Sequence, residues 1–252
     1  MIVTEGSFIT GSFYRDGKPL PDSPEWGMST RMAGNMRFRW NESNPLREEF
    51  LTQIAGNGHN IVPVELIHSK NVCVVSKAYD TDLCQADGII TVNSNLVPVV
   101  TVADCMPIFI YDCKKGVFGV LHSGWKGTGI VESAIKIAHD KFGSNPQDFC
   151  VVMGPHIHKC CYFVDRDRAE YFKKTFTESC VTEKDDGTFA LSLADANLCI
   201  LDRLGVQRSN IYISGDCTCC NDRFGSFRRE AVKGAGSFTV QAAWVKCTFS
   251  IA

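Results

Sequence analysis

The stretch Val97 to Thr128, VPVVTVADCMPIFIYDCKKGVFGVLHSGWKGT, constrains this chain more than any other. Two apolar runs, Pro107 to Tyr111 and Val117 to Leu121, flank Asp-Cys-Lys-Lys-Gly, a polar loop ending in glycine that suits a hairpin. Folding the hairpin about that loop sets Cys105 opposite His122 just beyond the strand ends, with Cβ atoms about 4.5–5.5 Å apart if the ladder reaches them. Thiol sulfur beside imidazole nitrogen is a zinc-grade ligand pair, and a strand end is where backbone turns outward to open a site. Each residue alone has a plainer reading, since a lone Cys is usually packing and a lone His a hydrogen-bonded core residue.

A third ligand separates a metal centre from coincidence. His68, in VELIHSKNVCVV, lies between two apolar segments and can be delivered to the same rim; His59, on a Gly-Asn-Gly-His loop, competes with it. A His, Cys, His set leaves the fourth tetrahedral position for water or substrate, the mark of a catalytic zinc. Asp104, directly before Cys105, is a candidate to orient a ligand imidazole, to accept a proton, or simply to cap a turn. After His122, Ser-Gly-Trp-Lys-Gly-Thr leads into a helix whose free N–H groups favour an anion. The P-loop spacing GxxxxGK[ST] is absent.

The surrounding chain predicts one mixed α/β domain of the α+β type over residues 1–252, with no repeat, linker or low-complexity tract. Short β-branched runs mark strands at 72–75, 89–92, 97–102, 108–111, 117–121, 150–153, 211–214 and 238–244. Helical spacing marks 45–55, 129–142, 166–176 and 193–204, and 184–188 reads as a charged surface turn. With 26 Lys and Arg against 28 Asp and Glu, the net charge of −2 gives no basic field for nucleic acid or anionic membrane. The first residues carry no basic leader, and no run of 18 apolar residues occurs, so a cytoplasmic protein is expected.

Thirteen cysteines are the anomaly. An odd count cannot pair completely and a reducing compartment keeps thiols free, so most are expected to be small buried hydrophobes or metal ligands. The vicinal Cys160-Cys161 and the CxxC at Cys217 and Cys220, with Cys219 between, invite a redox or second-metal reading. One CxxC without a partner pair is an incomplete structural zinc site, however, so packing and loop structure is the expected role.

Taken together, ADCMPI, HSGWKGT, GPHIHKCCYFV and the later CT followed by FGSFRR resemble, in order and spacing, the YfiH-like laccase-domain family. The resemblance runs from about Trp26 to Trp244, and ADC followed by HxGWxG is its specific part. It implies a four-layer α/β/β/α fold and one zinc held by His68, Cys105 and His122, choosing His68 over His59. It implies that GMSTR makes Arg31 a substrate or anion contact, and that Arg228 and Arg229 match the family's terminal arginine pair. It also implies that the CC and CxxC stretches are not the family's metal ligands. The chain departs from the family pattern at Leu66-Ile67-His68-Ser69 and at Gly234-Ala235, which bears on substrate preference more than on metal binding.

Family members are described as polyphenol oxidases, purine nucleoside phosphorylases and peptidoglycan editing factors. A multicopper oxidase needs several His-x-His pairs, and this chain has one, His156 and His158. A His/Cys/His site would still take copper in vitro, by the Irving–Williams order, and oxidise phenols as a side reaction. With zinc, the resemblance implies phosphorolysis of adenosine, inosine, guanosine and methylthioadenosine and deamination of adenosine. Asp104, Cys105 and His122 are then the candidate catalytic residues, and Arg31, Arg228 and Arg229 the substrate-binding ones. The alternatives are a cell-wall precursor amidase, a metal-free cysteine hydrolase using Cys105 with His122 as base, and a binding module with a structural zinc.

Overall fold

The computed structural model describes residues 6–232 and 236–248. Gly234 and Ala235 lie outside the described residues. The strands, in chain order, are β1 (Phe8–Gly11), β2 (Tyr14–Arg15), β3 (Lys18–Pro19), β4 (Glu25–Ser29), β5 (Asn60–Pro63), β6 (Val72–Val74), β7 (Gly88–Thr91), β8 (Leu96–Val102), β9 (Met106–Asp112), β10 (Phe118–Ser123), β11 (Phe149–Met153), β12 (Phe163–Val164), β13 (Val181–Glu183), β14 (Phe189–Leu191), β15 (Ile211–Ile213) and β16 (Gln241–Lys246). Four α-helices accompany them: α1 (Pro45–Ala55), α2 (Ile130–Phe142), α3 (Arg166–Thr175) and α4 (Leu193–Leu204). One large sheet has the order β1-β4-β16-β8-β5 and the other β15-β11-β9-β10-β7-β6.

Alternating side chains tie these sheets into layers. Phe109, Val120 and Val152 point between the sheets, with Val100, Trp26, Met28 and Val245 from the facing strands. Ile108, Ile110, Leu121 and Val151 point the other way, onto Ile130, Ala134 and Ala138 of α2 and Leu193 and Leu201 of α4. On the opposite outer face, Val97, Val99 and Trp244 receive Phe50 and Leu51 of α1. These three cores separate four layers, helix, sheet, sheet and helix, in a single mixed α/β domain. Because both faces of β8, β9 and β10 are covered, their sequences are apolar almost throughout.

Helix ends follow local chemistry. Asn44 caps α1, Asp165 caps α3 and Ser192 caps α4, each through a side-chain oxygen on a backbone N–H. Gly143 and Gly205 end α2 and α4 in the left-handed region. The charged segment 184–188 is the turn joining β13 to β14.

Two expectations shift. The 238–244 strand is seated later, as β16, where Ala243 and Val245 face the inter-sheet core and Ala242 and Trp244 face α1. Cys73 on β6 is disulfide-linked to Cys84, a pairing the sequence did not suggest; the other eleven cysteines are free. No described helix is long and apolar enough to cross a membrane.

Phe109 is fully buried and stacks on Trp26 at 5.2 Å between ring centroids. Phe109→Ala is expected to cost about 3–5 kcal/mol, from lost transfer free energy and the cavity left behind. Equilibrium urea unfolding measures it, and an unmoved midpoint would show that the inter-sheet layer does not depend on this ring.

Candidate active site

The β9–β10 hairpin forms, with a register two residues away from the simplest one. His122 pairs with Pro107 and Ser123 with Met106, so the continuing ladder sets Cys105 against Gly124 instead of His122. A two-residue shift keeps every side chain on its original face. Cys105 and His122 thus become diagonal neighbours on one face, close enough for a Cys105–His122 side-chain hydrogen bond. Gly124 makes the approach possible, because a Cβ there would lie 2.7 Å from the Cys105 sulfur.

His68 joins them. Its ring stands edge-on to that of His122, with centroids 5.1 Å apart. His59 does not: its Nε2 lies 3.0 Å from the Cys247 carbonyl. His68, Asp104, Cys105 and His122 all line one cavity of about 560 Å³.

The residue that organises the imidazoles is one the sequence reading missed. Asp87, fully buried just before β7, places Oδ1 2.9 Å from His122 Nδ1 and accepts the His68 backbone N–H at 2.9 Å. Its Oδ2 accepts the Ser69 N–H at 2.6 Å and the Ser69 hydroxyl at 2.7 Å. With Nδ1 so engaged, Nε2 is the His122 nitrogen left for a ligand. Burial works against charge on His122, but the Cys105 sulfur and the Asp87 carboxylate outweigh it and push the imidazolium up to about 10. His68 is pulled below its ordinary value by burial and by the facing His122. Burial would raise Asp87, yet the hydrogen bonds from His122 and Ser69 hold it below the usual carboxylate range.

Asp104 serves a different purpose from the one expected. Its Oδ1 accepts from the Thr218 hydroxyl at 2.6 Å, and its Oδ2 from the Ser226 hydroxyl at 3.0 Å and the Arg228 N–H at 2.6 Å. The carboxylate is a knot between three segments. Its oxygens are occupied, and the role of orienting a histidine falls to Asp87.

The arginines divide. Arg228 lines the cavity, rests on the Tyr162 ring and donates to the carbonyls of Cys161 and Phe163 at 3.4 and 3.0 Å. Arg31 is not among the lining residues; it meets Glu230 at 3.6 Å and the Asp222 carbonyl at 3.3 Å. Arg229 is absorbed by the carbonyls of Thr218, Cys219, Asn221 and Phe224 and by Glu230. In their place Arg37, Arg39 and Arg168, which the sequence gave no reason to select, reach the cavity. Each of these three guanidinium groups pairs with a carboxylate, whereas that of Arg228 has no carboxylate partner among the described residues. At the α2 N-terminus, expected to favour an anion, the Ile130 and Glu132 N–H groups already donate to the Gly127 and Gly129 carbonyls of their own turn.

A four-layer α/β/β/α sandwich with a His/Cys pocket at its sheet ends defines the laccase-domain class. The family described as multi-copper polyphenol oxidoreductase laccase matches residues 43–245, and the chain belongs to that family. It is 36% identical over 148 residues to purine nucleoside phosphorylase YlmD of Bacillus subtilis, covering 57% of this chain and 53% of that protein. The chain thus spans about half the length of that relative. It is 31% identical over 185 residues to adenosine deaminase RL5, from an unknown prokaryotic organism, covering 68% and 71% of the two chains. The crystal structure of Bacillus licheniformis hypothetical protein YfiH superposes with a TM-score of 0.78 at 25% identity, covering 89% of this chain and 93% of that one.

Replacing Asp87 by Ala strands the His122 Nδ1 and the backbone donors of His68 and Ser69. Metal-free protein carrying Asp87→Ala is expected to lose about 3–5 kcal/mol in equilibrium unfolding, and Asp87→Asn less, since it keeps the shape. Equal stability of Asp87→Ala and wild type would remove Asp87 from its organising role.

Proposed function

We propose that this chain is a zinc-dependent purine nucleoside enzyme. It carries out phosphorolysis of adenosine, inosine, guanosine and methylthioadenosine and deaminates adenosine, with His68, Cys105 and His122 holding one zinc ion. The observation that carries this reading is the composition of the cavity. Two imidazoles and a thiol line it beside Arg228, within walls of Phe38, Tyr162, Phe227 and Phe238. The chemistry of the donors fits zinc: two imidazoles and a thiol are zinc ligands, and Asp87 holds the distal nitrogen of His122, as supporting carboxylates of zinc histidines do; the His68 side chain would close on the ion from the facing wall. Bound zinc would supply a Lewis acid and a water whose pKa is about 7.

The chain's own groups do the rest. In phosphorolysis a phosphate oxygen bonds to ribose C1′ as the C1′–N bond breaks; the electron pair leaves on the purine, which takes up a proton. Arg228, free of an acidic partner, receives the phosphate, and a guanidinium fork suits its oxygens. Arg31 and Arg229 steady the loops that carry Arg228 instead of touching substrate themselves. Burial, with Cys105 nearby, raises the Tyr162 phenol, so it keeps its proton at neutral pH and presents an O–H at the cavity wall. Asp104 is a positioning residue, fixing Cys105 and Arg228 together. In deamination, water oxygen adds at the purine carbon bearing the amine and ammonia departs.

Names among the relatives support both reactions, since one is a purine nucleoside phosphorylase and another an adenosine deaminase. Copper-loaded protein oxidising phenols is the second reading. The Irving–Williams order favours it in vitro, but outside the pocket His59 and His139 are each held by a backbone carbonyl, which leaves the single His156 and His158 pair, with ring centroids 4.5 Å apart, where several such pairs are needed.

Zinc-loaded protein incubated with adenosine, with and without phosphate, tests the proposal by chromatography of the products. Adenine that requires phosphate, and inosine formed either way, are expected. Cys105→Ala should lower both on the order of 100-fold or more. Persisting turnover in that variant, or no product from the wild type, would defeat the reading. Rapid alkylation of Cys105 in active, zinc-free protein would favour a cysteine nucleophile.

A further inference from the structure

The CxxC judged incomplete from sequence has a partner pair. Cys217 and Cys220 sit on a tight turn in which the Cys220 and Asn221 N–H groups donate to the Cys217 carbonyl at 3.1 and 2.9 Å. A bridge between His156 and Cys217 lays that turn against the 156–162 loop. There a second turn, with the Cys161 and Tyr162 N–H groups on the His158 carbonyl at 2.9 Å, presents Cys160 and Cys161. The sulfurs of Cys160, Cys161, Cys217 and Cys220 all lie within 4.8 Å of one another.

We propose that these four cysteines form a second, structural metal site, a tetrathiolate for a thiophilic divalent cation such as zinc, separate from the cavity. Zinc–sulfur bonds of about 2.3 Å in a tetrahedron place the sulfurs about 3.8 Å apart. The Cys220 sulfur is 3.5 Å from that of Cys160 and 3.3 Å from that of Cys161, so a small adjustment gives the full set. A disulfide needs about 2.05 Å between sulfurs and joins only two of them. Two of these contacts converge on Cys220, as they do around a shared ion. The His158 N–H points at the Cys217 sulfur at 3.4 Å, an added donor for a thiolate. Cys160 and Cys220 are exposed, so an ion reaches the site from solvent, and each of the four thiols passes its proton to solvent as the ion binds.

Four protein ligands close the coordination shell, which makes the ion a fastener instead of a catalyst. What it fastens matters to the cavity. Thr218, inside the CxxC turn, bonds Asp104, and Arg228 holds the Cys161 carbonyl. The ion would pin together the two loops that back Asp104 and Arg228.

The site is tested on the full chain, expressed with added zinc and purified under reducing conditions without chelator. Metal analysis is expected to find two zinc ions per wild-type chain and one in either Cys217→Ser/Cys220→Ser or Cys105→Ala. X-ray absorption of zinc-loaded Cys105→Ala should show one ion with four sulfur neighbours, a reading that stands even if the double variant fails to fold. One zinc per wild-type chain that disappears in Cys105→Ala overturns the proposal. So does a remaining ion with nitrogen or oxygen ligands, or freshly reduced protein in which these cysteines re-form a disulfide in preference to taking zinc. Loss of nucleoside turnover in Cys105→Ala with the four-sulfur ion retained separates this site from the activity.

Discussion

One buried carboxylate organises the pocket. Asp87 grips His122 through Nδ1, its own main-chain carbonyl accepts the His122 N–H at 2.7 Å, and its side chain takes the backbone of His68 and Ser69. The His122 imidazole and the backbone that carries His68 therefore hang from a single anion that no solvent reaches. His68 occupies the left-handed region, at φ 58°, where a non-glycine residue costs on the order of 1 kcal/mol or more. The charge-assisted hydrogen bond at its N–H offsets that cost and turns the ring toward His122.

Asp104 mirrors this arrangement on the opposite wall. It too is buried with a positive φ, at 74°, and its side chain ties the 218 and 226–228 segments behind Cys105. The Ile157 N–H closes on its carbonyl at 2.9 Å, drawing in a fourth stretch of chain. The two carboxylates divide the labour: Asp87 orients the imidazoles, and Asp104 sets the thiol and Arg228 relative to the late loops. Strained backbone at both positions persists because several hydrogen bonds fix each one.

Regular elements were legible where hydrophobic period is strong. The four helices fall within a residue or so of the 3.6-period segments, and β8 to β11 fall on the β-branched runs. The edge strand β1 and its neighbour β4 escaped because FITG and EWGMS are short, glycine-containing and only partly apolar. The hairpin was right in pairing and in face, although its register differed by two. The loop bends tightly because the Asp112 side chain accepts from Lys114 and Lys115, which sets a turn that apolar pattern alone cannot fix. Asp87 was invisible because Asp-Gly before a strand reads as an ordinary turn. Nothing local marks a carboxylate whose partners lie at 68, 69 and 122.

The same reasoning explains why the three expected arginines part company. A guanidinium is long, and motif position fixes only where its Cα begins; its destination depends on which acceptors lie within reach. Arg229 and Arg31 both find Glu230, so the charge of each is already met by a carboxylate. Arg228 differs because its own N–H is captured by Asp104, which fixes its Cα at the cavity wall while its guanidinium meets carbonyls and an aromatic face but, among the described residues, no carboxylate. A cation left without an anion beside an aromatic-lined cavity is electrostatically incomplete until an anionic guest arrives. Asp104 thus decides where the Arg228 guanidinium stands at the cavity wall by where it holds the next chain segment.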